Sequence, residues 1–187
     1  MKKYILIAGV NGSGKSTLYH SLDEEIQNMK RINTDEIVNE FGQWNNPNDV
    51  IKAGKIAIKK LEEYLNQGIS FNQETTLCGK SILKNIKKAK QLGYFIELHY
   101  IGVNSVEIAK ERVHHRVLNG GHGISDKDIE KRYSTSLYNI TKIQDQFDKI
   151  IFYDNTEYFQ MIAIYINGKQ EIVSNMLPEW FKNLEVF

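Results

Sequence analysis

Tyr4-Ile5-Leu6-Ile7-Ala8-Gly9-Val10-Asn11-Gly12-Ser13-Gly14-Lys15-Ser16 is an apolar run that breaks into a glycine-rich turn and then opens a helical pattern. Its second half has the form G-x-x-x-x-G-K-[ST], and it stands where that spacing carries meaning, between a strand and a helix. Glycines at 9, 12 and 14 let successive backbone N–H groups converge on phosphate oxygens with no Cβ in the way. The helix that follows turns its positive end to the same point. Lys15 is placed to reach β- and γ-phosphates and Ser16 to coordinate Mg²⁺. Gly9, Asn11, Gly12, Ser13, Gly14 and Thr17 complete the cradle. The stretch predicts a site for a nucleoside triphosphate between a strand at about 3–8 and a helix at about 15–28.

A chain of 187 residues suits one domain over 1–187 and is long enough to bury a sizeable core. Hydrophobic residues at 41% and charged residues at 25% are proportions of a soluble globular protein. The formal net charge of +1 gives no bulk pull toward nucleic acid or a membrane, so any attraction for phosphate must be local. One cysteine, Cys78, excludes an internal disulfide framework, fits a reducing cytoplasm and reads as a small buried residue. The apolar run at the start breaks at Gly9, too short for secretion or for spanning a bilayer. A cytoplasmic protein with no nucleic-acid or membrane partner is expected.

Strand and helix patterns alternate along the chain, which predicts an α/β fold with a parallel sheet covered on both faces. A short second strand falls at 31–33, a turn-rich loop at 41–48 and a helix at about 49–67 that ends at Gly68. A third strand at 69–74, a lysine-rich helix at about 80–91, a fourth strand at 94–101 and a helix at about 104–118 follow. Asn119-Gly120-Gly121-His122-Gly123 is a flexible break. Ser125-x-x-Asp128 has the form of a capping box for the next helix, whose apolar face runs from Ile129 to Phe147. A fifth parallel strand at 149–153 precedes a hairpin turning at Asn167-Gly168. Trp180 and Phe181, in the tail, are expected to dock on the domain. The hairpin and tail together cover about 157–187.

Beyond the turn, the residues to weigh are those at strand ends, because ligands in open α/β sheets bind beyond the carboxyl edges of the strands. Asp35 and Glu36 follow the second strand and Glu74 closes the third. Asp35 is the candidate for orienting an acceptor hydroxyl and taking its proton, against the plainer reading of a helix cap. Glu74 could hold Mg²⁺ or bind the acceptor. Arg112 and Arg116, one helical turn apart, repel each other unless an anion lies between them. With Arg132 they flank the glycine break, an arrangement suited to a lid over about 112–132 that closes on phosphates. His114, His115 and His122 show no metal-ligand spacing and read as solvent or lid histidines. Asn155 follows the fifth strand, where a base-contacting loop could lie. Trp44 reads as local packing, with stacking on an acceptor ring as the alternative.

These blocks, in order, resemble the zeta-toxin family of P-loop kinases: Gly9 to Thr17, Asn33-Thr34-Asp35, Glu74 to Gly79, Glu111-Arg112-Val113-x-x-Arg116-Val117, Gly120-Gly121-His122, Lys131-Arg132-Tyr133 with Ser136-Leu137, and Asp154-Asn155. The resemblance spans most of residues 1–156. It implies a P-loop NTPase three-layer sandwich whose five parallel strands run in the order 2-3-1-4-5, with the antiparallel hairpin at the C-terminal end. It also implies ATP with Mg²⁺ as phosphoryl donor, Asp35 as the base, Glu74 and Thr76 near the acceptor, and Arg112, Arg116 and Arg132 around the phosphates. Toxins of this family phosphorylate UDP-N-acetylglucosamine and are held by an antitoxin. That makes a nucleotide sugar the expected small-molecule acceptor and an antitoxin a candidate partner. The chain is short beside the larger toxins, with little room for their extra C-terminal segments. An ATP-binding switch without turnover, and a nucleoside or polynucleotide kinase, are the alternatives.

Overall fold

In a computed structural model of the chain, which describes residues 1–184 and 186, seven strands form one sheet in the order β2-β3-β1-β4-β5-β6-β7. The strands are β1 (Lys3–Ala8), β2 (Lys30–Ile32), β3 (Phe71–Thr75), β4 (Phe95–Gly102), β5 (Lys149–Asp154), β6 (Gln160–Ile166) and β7 (Lys169–Val173). The first five are parallel in the predicted 2-3-1-4-5 order. The hairpin extends the same sheet, β6 pairing antiparallel with β5 and β7 with β6, so the sheet has seven strands rather than a separate five. Asn167 and Gly168 both take positive φ at the hairpin turn, as a two-residue turn matched to strand twist requires.

The central strand is buried from Tyr4 to Ala8, and its alternating side chains enter two cores. Tyr4, Leu6 and Ala8 join the main cluster with α3 (Thr34–Phe41), α4 (Pro47–Gln67), α5 (Lys80–Gln91) and α7 (Asp126–Ile143). Ile7 instead meets Leu18 of α1 (Lys15–Ser21) and Ile101 in a smaller cluster. A third cluster at the carboxyl edge joins Val10 and Val103 to Ala109 and Val113 of α6 (Val106–Leu118) and to Ile129. Between two helix-covered faces, the parallel strands read as nearly continuous apolar runs.

Two helical assignments differ from the sequence pattern. The first helix stops at Ser21, and a separate α2 (Glu24–Gln27) follows, because Leu22 is extended and Asp23 restarts the chain. A helix also stands where none is expected, at Thr34–Phe41. Asn33 caps it, its side chain accepting from the Asp35 N–H at 2.9 Å. The cap therefore falls to Asn33, and the Asp35 carboxylate is left for other partners. The capping box before α7 forms as expected: Ser125 accepts from the Asp128 amide and donates to its carboxylate at 2.7 Å. Helix α1, in contrast, begins at a left-handed Gly14 with no side-chain cap and no acidic residue in its first turn.

The tail closes the fold over the end of the sheet. In α8 (Glu179–Lys182), Trp180 is buried and donates Nε1–H to Asp154 Oδ1 at 2.8 Å. Its ring lies on Gly102, where a Cβ would come within 2.3 Å of the indole. The rest of the expected tail segment, Glu185 and Phe187, lies outside the described residues. Trp180→Ala removes both the packing and the hydrogen bond. Urea denaturation should show a loss of about 3–5 kcal/mol, and a loss below about 1 kcal/mol would mean that the tail does not hold the sheet edge.

Candidate functional site

A cleft of about 1170 Å³ opens at the carboxyl ends of the parallel strands, floored by the glycine-rich turn after β1. Of the residues singled out in the sequence, Asn11, Gly12, Gly14, Lys15, Ser16, Thr17, Asp35, Glu74, Thr76, Arg112, Arg116, Arg132 and Asn155 line it. Gly9 and Ser13 lie behind the turn. Gly9 donates its N–H to the Thr75 carbonyl, and Ser13 is fully buried.

The turn adopts its shape because three other segments press on it from behind. Gly9, Gly12 and Gly14 have φ of 150°, 81° and 105°. A Cβ at each would lie 2.4 Å from the Ile101 carbonyl, 2.5 Å from the Ala109 carbonyl and 2.5 Å from Asn155 Nδ2 respectively. The Asn155 amide group donates to the Ser13 carbonyl at 2.8 Å, so this residue braces the cradle. Lys15 is buried, its ammonium on the Val10 carbonyl at 3.1 Å. Burial lowers its pKa, while the charges of Glu74 and Asp35 work the other way.

Around this floor the arginines are held by one hand each. Arg112 donates Nη2–H to the Thr156 carbonyl at 3.0 Å, Arg116 donates Nε–H to the His122 carbonyl at 2.8 Å, and Arg132 donates Nη1–H to Asn11 Oδ1 at 3.0 Å. Arg112 Nη1 and Arg116 Nη2 are buried with no hydrogen-bond partner among the described residues. Buried guanidinium donors without acceptors are costly, and a phosphate oxygen is the acceptor such a fork suits. Lys15, these two free donors and the Cβ-free turn together fit a polyphosphate. The oxygen donors for a hard cation are also in place, with Ser16 Oγ 3.5 Å from both carboxylate oxygens of Glu74.

Glu74 is fixed by residues that the strand-end pattern did not single out. Arg31 pairs with it at 2.9 Å, reaches Asn72 and Glu36, and stacks its guanidinium 3.5 Å from the Tyr19 ring. Asn33 donates to the same carboxylate at 3.1 Å. Opposite stands Asp35, whose Oδ2 lies 3.0 Å from His122 Nε2. Burial works to raise the Asp35 pKa, but the His122 hydrogen bond and charge, with Lys15 and Arg116, hold it below the usual carboxylate value. The carboxylate is therefore ionised at neutral pH and able to accept a hydrogen bond from a hydroxyl.

His122 is a cleft residue rather than a solvent histidine. Its ring stacks on Trp44 at 4.2 Å between centroids, so Trp44 packs within the protein, but on a partner far away in sequence rather than a local one. His114 pairs with Asp126 at 2.7 Å, and no group of three or more His, Cys, Asp or Glu able to hold a metal occurs among the described residues. Cys78 is at the cleft wall rather than buried. Its Sγ lies 3.1 Å and 3.2 Å from the Thr76 and Arg132 carbonyls, and its partial burial raises its pKa, so it stays a thiol. A contact such as Trp44 on His122 leaves no periodic mark in the sequence. Arg31 could have been suspected as the less exposed of two cations on a strand leading into an acidic strand end.

A glycine-rich turn between a strand and a helix, a carboxylate in the same cleft and a 2-3-1-4-5 parallel sheet define a P-loop kinase fold. The Zeta toxin family model matches residues 1–167, and the chain belongs to that family. It is 39% identical over 131 residues to an uncharacterized protein of Haemophilus influenzae, covering 70% of this chain and 92% of that one. Among solved structures it is similar in fold to the PezAT chromosomal toxin–antitoxin system of Streptococcus pneumoniae, with TM-score 0.60, 19% identity and coverage of 85% of this chain and 71% of the other. It is also similar to the AvrRxo1-ORF1:AvrRxo1-ORF2 complex with sulphate ions, with TM-score 0.72, 14% identity and coverage of 98% and 63%. No helix among the described residues is long and apolar enough to cross a membrane.

The Asp35 carboxyl should titrate below its ordinary 3.8. Because the folded value lies below the unfolded one, the stabilisation it brings is full above the unfolded value and is lost as pH falls through the folded one. Carboxyl NMR across an acid titration should record this, and His122→Ala should move the Asp35 transition upward. An Asp35 transition that stays in place in that variant would remove His122 as a cause.

Proposed function

We propose that the chain is an ATP-dependent, Mg²⁺-requiring phosphotransferase that phosphorylates an alcohol group of a small molecule, with a nucleotide sugar such as UDP-N-acetylglucosamine as the acceptor. The observation that carries this reading is the pair of buried, unpartnered guanidinium donors on Arg112 and Arg116, placed across one cleft from an ionised Asp35. Guanidinium donors without acceptors call for an anionic ligand, and an ionised carboxylate in the same cleft can orient the hydroxyl that receives that ligand's terminal phosphoryl group.

In this reading the turn residues and Lys15 grip the phosphates, and Asn155 keeps the cradle open. The acceptor oxygen bonds to the γ-phosphorus as the bond from that phosphorus to the bridging oxygen breaks, and ADP leaves. The hydroxyl proton passes to Asp35. Arg112, Arg116, Arg132 and Lys15 meet the charge that develops on the phosphates. Ser16 and Glu74 are the residues that would hold Mg²⁺, which when bound neutralises phosphate charge. Thr76 and Glu74 border the acceptor. Residues 119–125, between α6 and α7, are the moving part of a lid over 112–132. The chain works as one domain over 1–187, cytoplasmic and without a nucleic-acid partner, in keeping with its net charge of +1. A structural neighbour crystallised with ATP supports the donor, and neighbours that come as toxin–antitoxin or two-protein complexes support an antitoxin-like partner.

Three variants test the reading with labelled ATP and UDP-N-acetylglucosamine. Lys15→Ala should abolish transfer. Asp35→Ala should lower kcat by about 10²–10⁴-fold while ATP binding by calorimetry stays within about twofold. Arg116→Ala should lower kcat by about 10²–10³-fold, more than it weakens ATP. Transfer at the wild-type rate in Asp35→Ala would leave an ATP-binding switch as the better account.

A further inference from the structure

His122 has no assigned part in the reaction above, yet it makes three separate contacts at the centre of the cleft. Its Nε2–H meets Asp35 Oδ2 at 3.0 Å, with the imidazole 15% exposed. Its ring lies on Trp44 at 4.2 Å with 17° between planes. Its carbonyl accepts from Arg116 Nε at 2.8 Å. The backbone that delivers it is wound tightly onto the end of α6. Gly120 takes φ of 81°, the Gly121 N–H donates to the Arg116 carbonyl at 2.9 Å, and a Cβ at Gly121 would lie 2.6 Å from Arg116 Cγ. The two glycines thus turn the chain back so that the histidine falls over Asp35.

We propose that His122 is a positioning residue that fixes the orientation of the Asp35 carboxylate and ties the phosphate side of the cleft to its acceptor side. The proposal rests on the reading of Asp35 as proton acceptor. With Oδ2 held by the imidazole, Oδ1 has no donor among the described residues and is free for an acceptor hydroxyl. Trp44 stands on the loop between α3 and α4, beside the acceptor side of the cleft, and its buried Nε1 has no partner among the described residues. Arg116 uses Nε on His122 and keeps Nη2 for phosphate. A phosphate that draws on this guanidinium therefore acts on the residue that sets both Asp35 and Trp44. The coupling runs through one side chain with hydrogen-bonded and stacked anchors, which is the kind of local element that two ligands can bias together.

The test uses the full chain and two variants. His122→Gln keeps an N–H donor near the position of Nε2, and His122→Phe keeps a ring against Trp44 without the donor. With ATP and UDP-N-acetylglucosamine, His122→Phe should lower kcat by about 10–100-fold, with the KM for ATP within about twofold, and His122→Gln should recover most of that loss. If wild type transfers nothing to this acceptor, the same ratios are read on ATP hydrolysis, where water takes the place of the hydroxyl. Equal rates in wild type and His122→Phe, or equal impairment in both variants, would overturn the positioning role. Tryptophan emission gives a second readout, with Trp44→Phe subtracting the share of Trp180. Saturating ATP should shift Trp44 emission in wild type and leave it unmoved in His122→Phe and Arg116→Ala. If calorimetry records ATP binding to wild type and Trp44 emission stays constant, the coupling is wrong. If ATP binds and shifts emission but is never turned over, the proposed function fails while the contact stands.

Discussion

Two pieces of backbone and one side chain from distant parts of the chain meet against the turn at residues 9–16, and they fit only because the turn carries hydrogens where other residues carry Cβ. The end of β4 lies against Gly9, α6 against Gly12 and the loop after β5 against Gly14. Left-handed φ values at these glycines aim the amides outward, and close packing from behind keeps them there. The same contacts decide where α6 starts and therefore where its arginines point. The shape of the turn and the placement of the guanidinium groups are consequences of a single steric condition.

The cleft is an electrostatic contrast built at short range in a chain of almost no net charge. Lys15 and the inner donors of Arg112 and Arg116 are buried on one side. Asp35 and Glu74 hold the other, each tethered by neutral or cationic partners. Burial makes every unpaired donor expensive in the free protein, so the arrangement is poised for an anion and does not need a large surface field to attract one. Glu74 illustrates the cost control: Arg31 and Asn33 fix its carboxylate, and Tyr19 covers the guanidinium that balances it.

Much of this was legible in the amino-acid order. The turn, the five parallel strands, the hairpin at Asn167-Gly168 and the break before Ser125 each have a local chemical cause that survives in the folded chain. The helix at Thr34–Phe41 was not visible, because its eight residues are short for a periodic signal and open with residues that also favour turns. The split after Ser21 was hidden because Glu24 to Gln27 continue a helical composition across an extended Leu22. Within the cleft, residues next to the glycine turn or at strand ends could be named from position alone. Trp44 against His122, and Arg31 against Tyr19 and Glu74, could not, because side-chain stacking between remote segments is decided by how the helices pack.

Helix α1 enters the fold with its first turn uncapped by any side chain. Under the proposed function, an anion seated against those amides would supply the missing acceptor, a bond that the unfolded chain cannot offer. Ligand occupancy and folding would then obey one mass-action balance, with the melting temperature rising with the logarithm of free anion concentration above the dissociation constant. Thermal shift is accordingly a direct screen for the anion that this turn prefers.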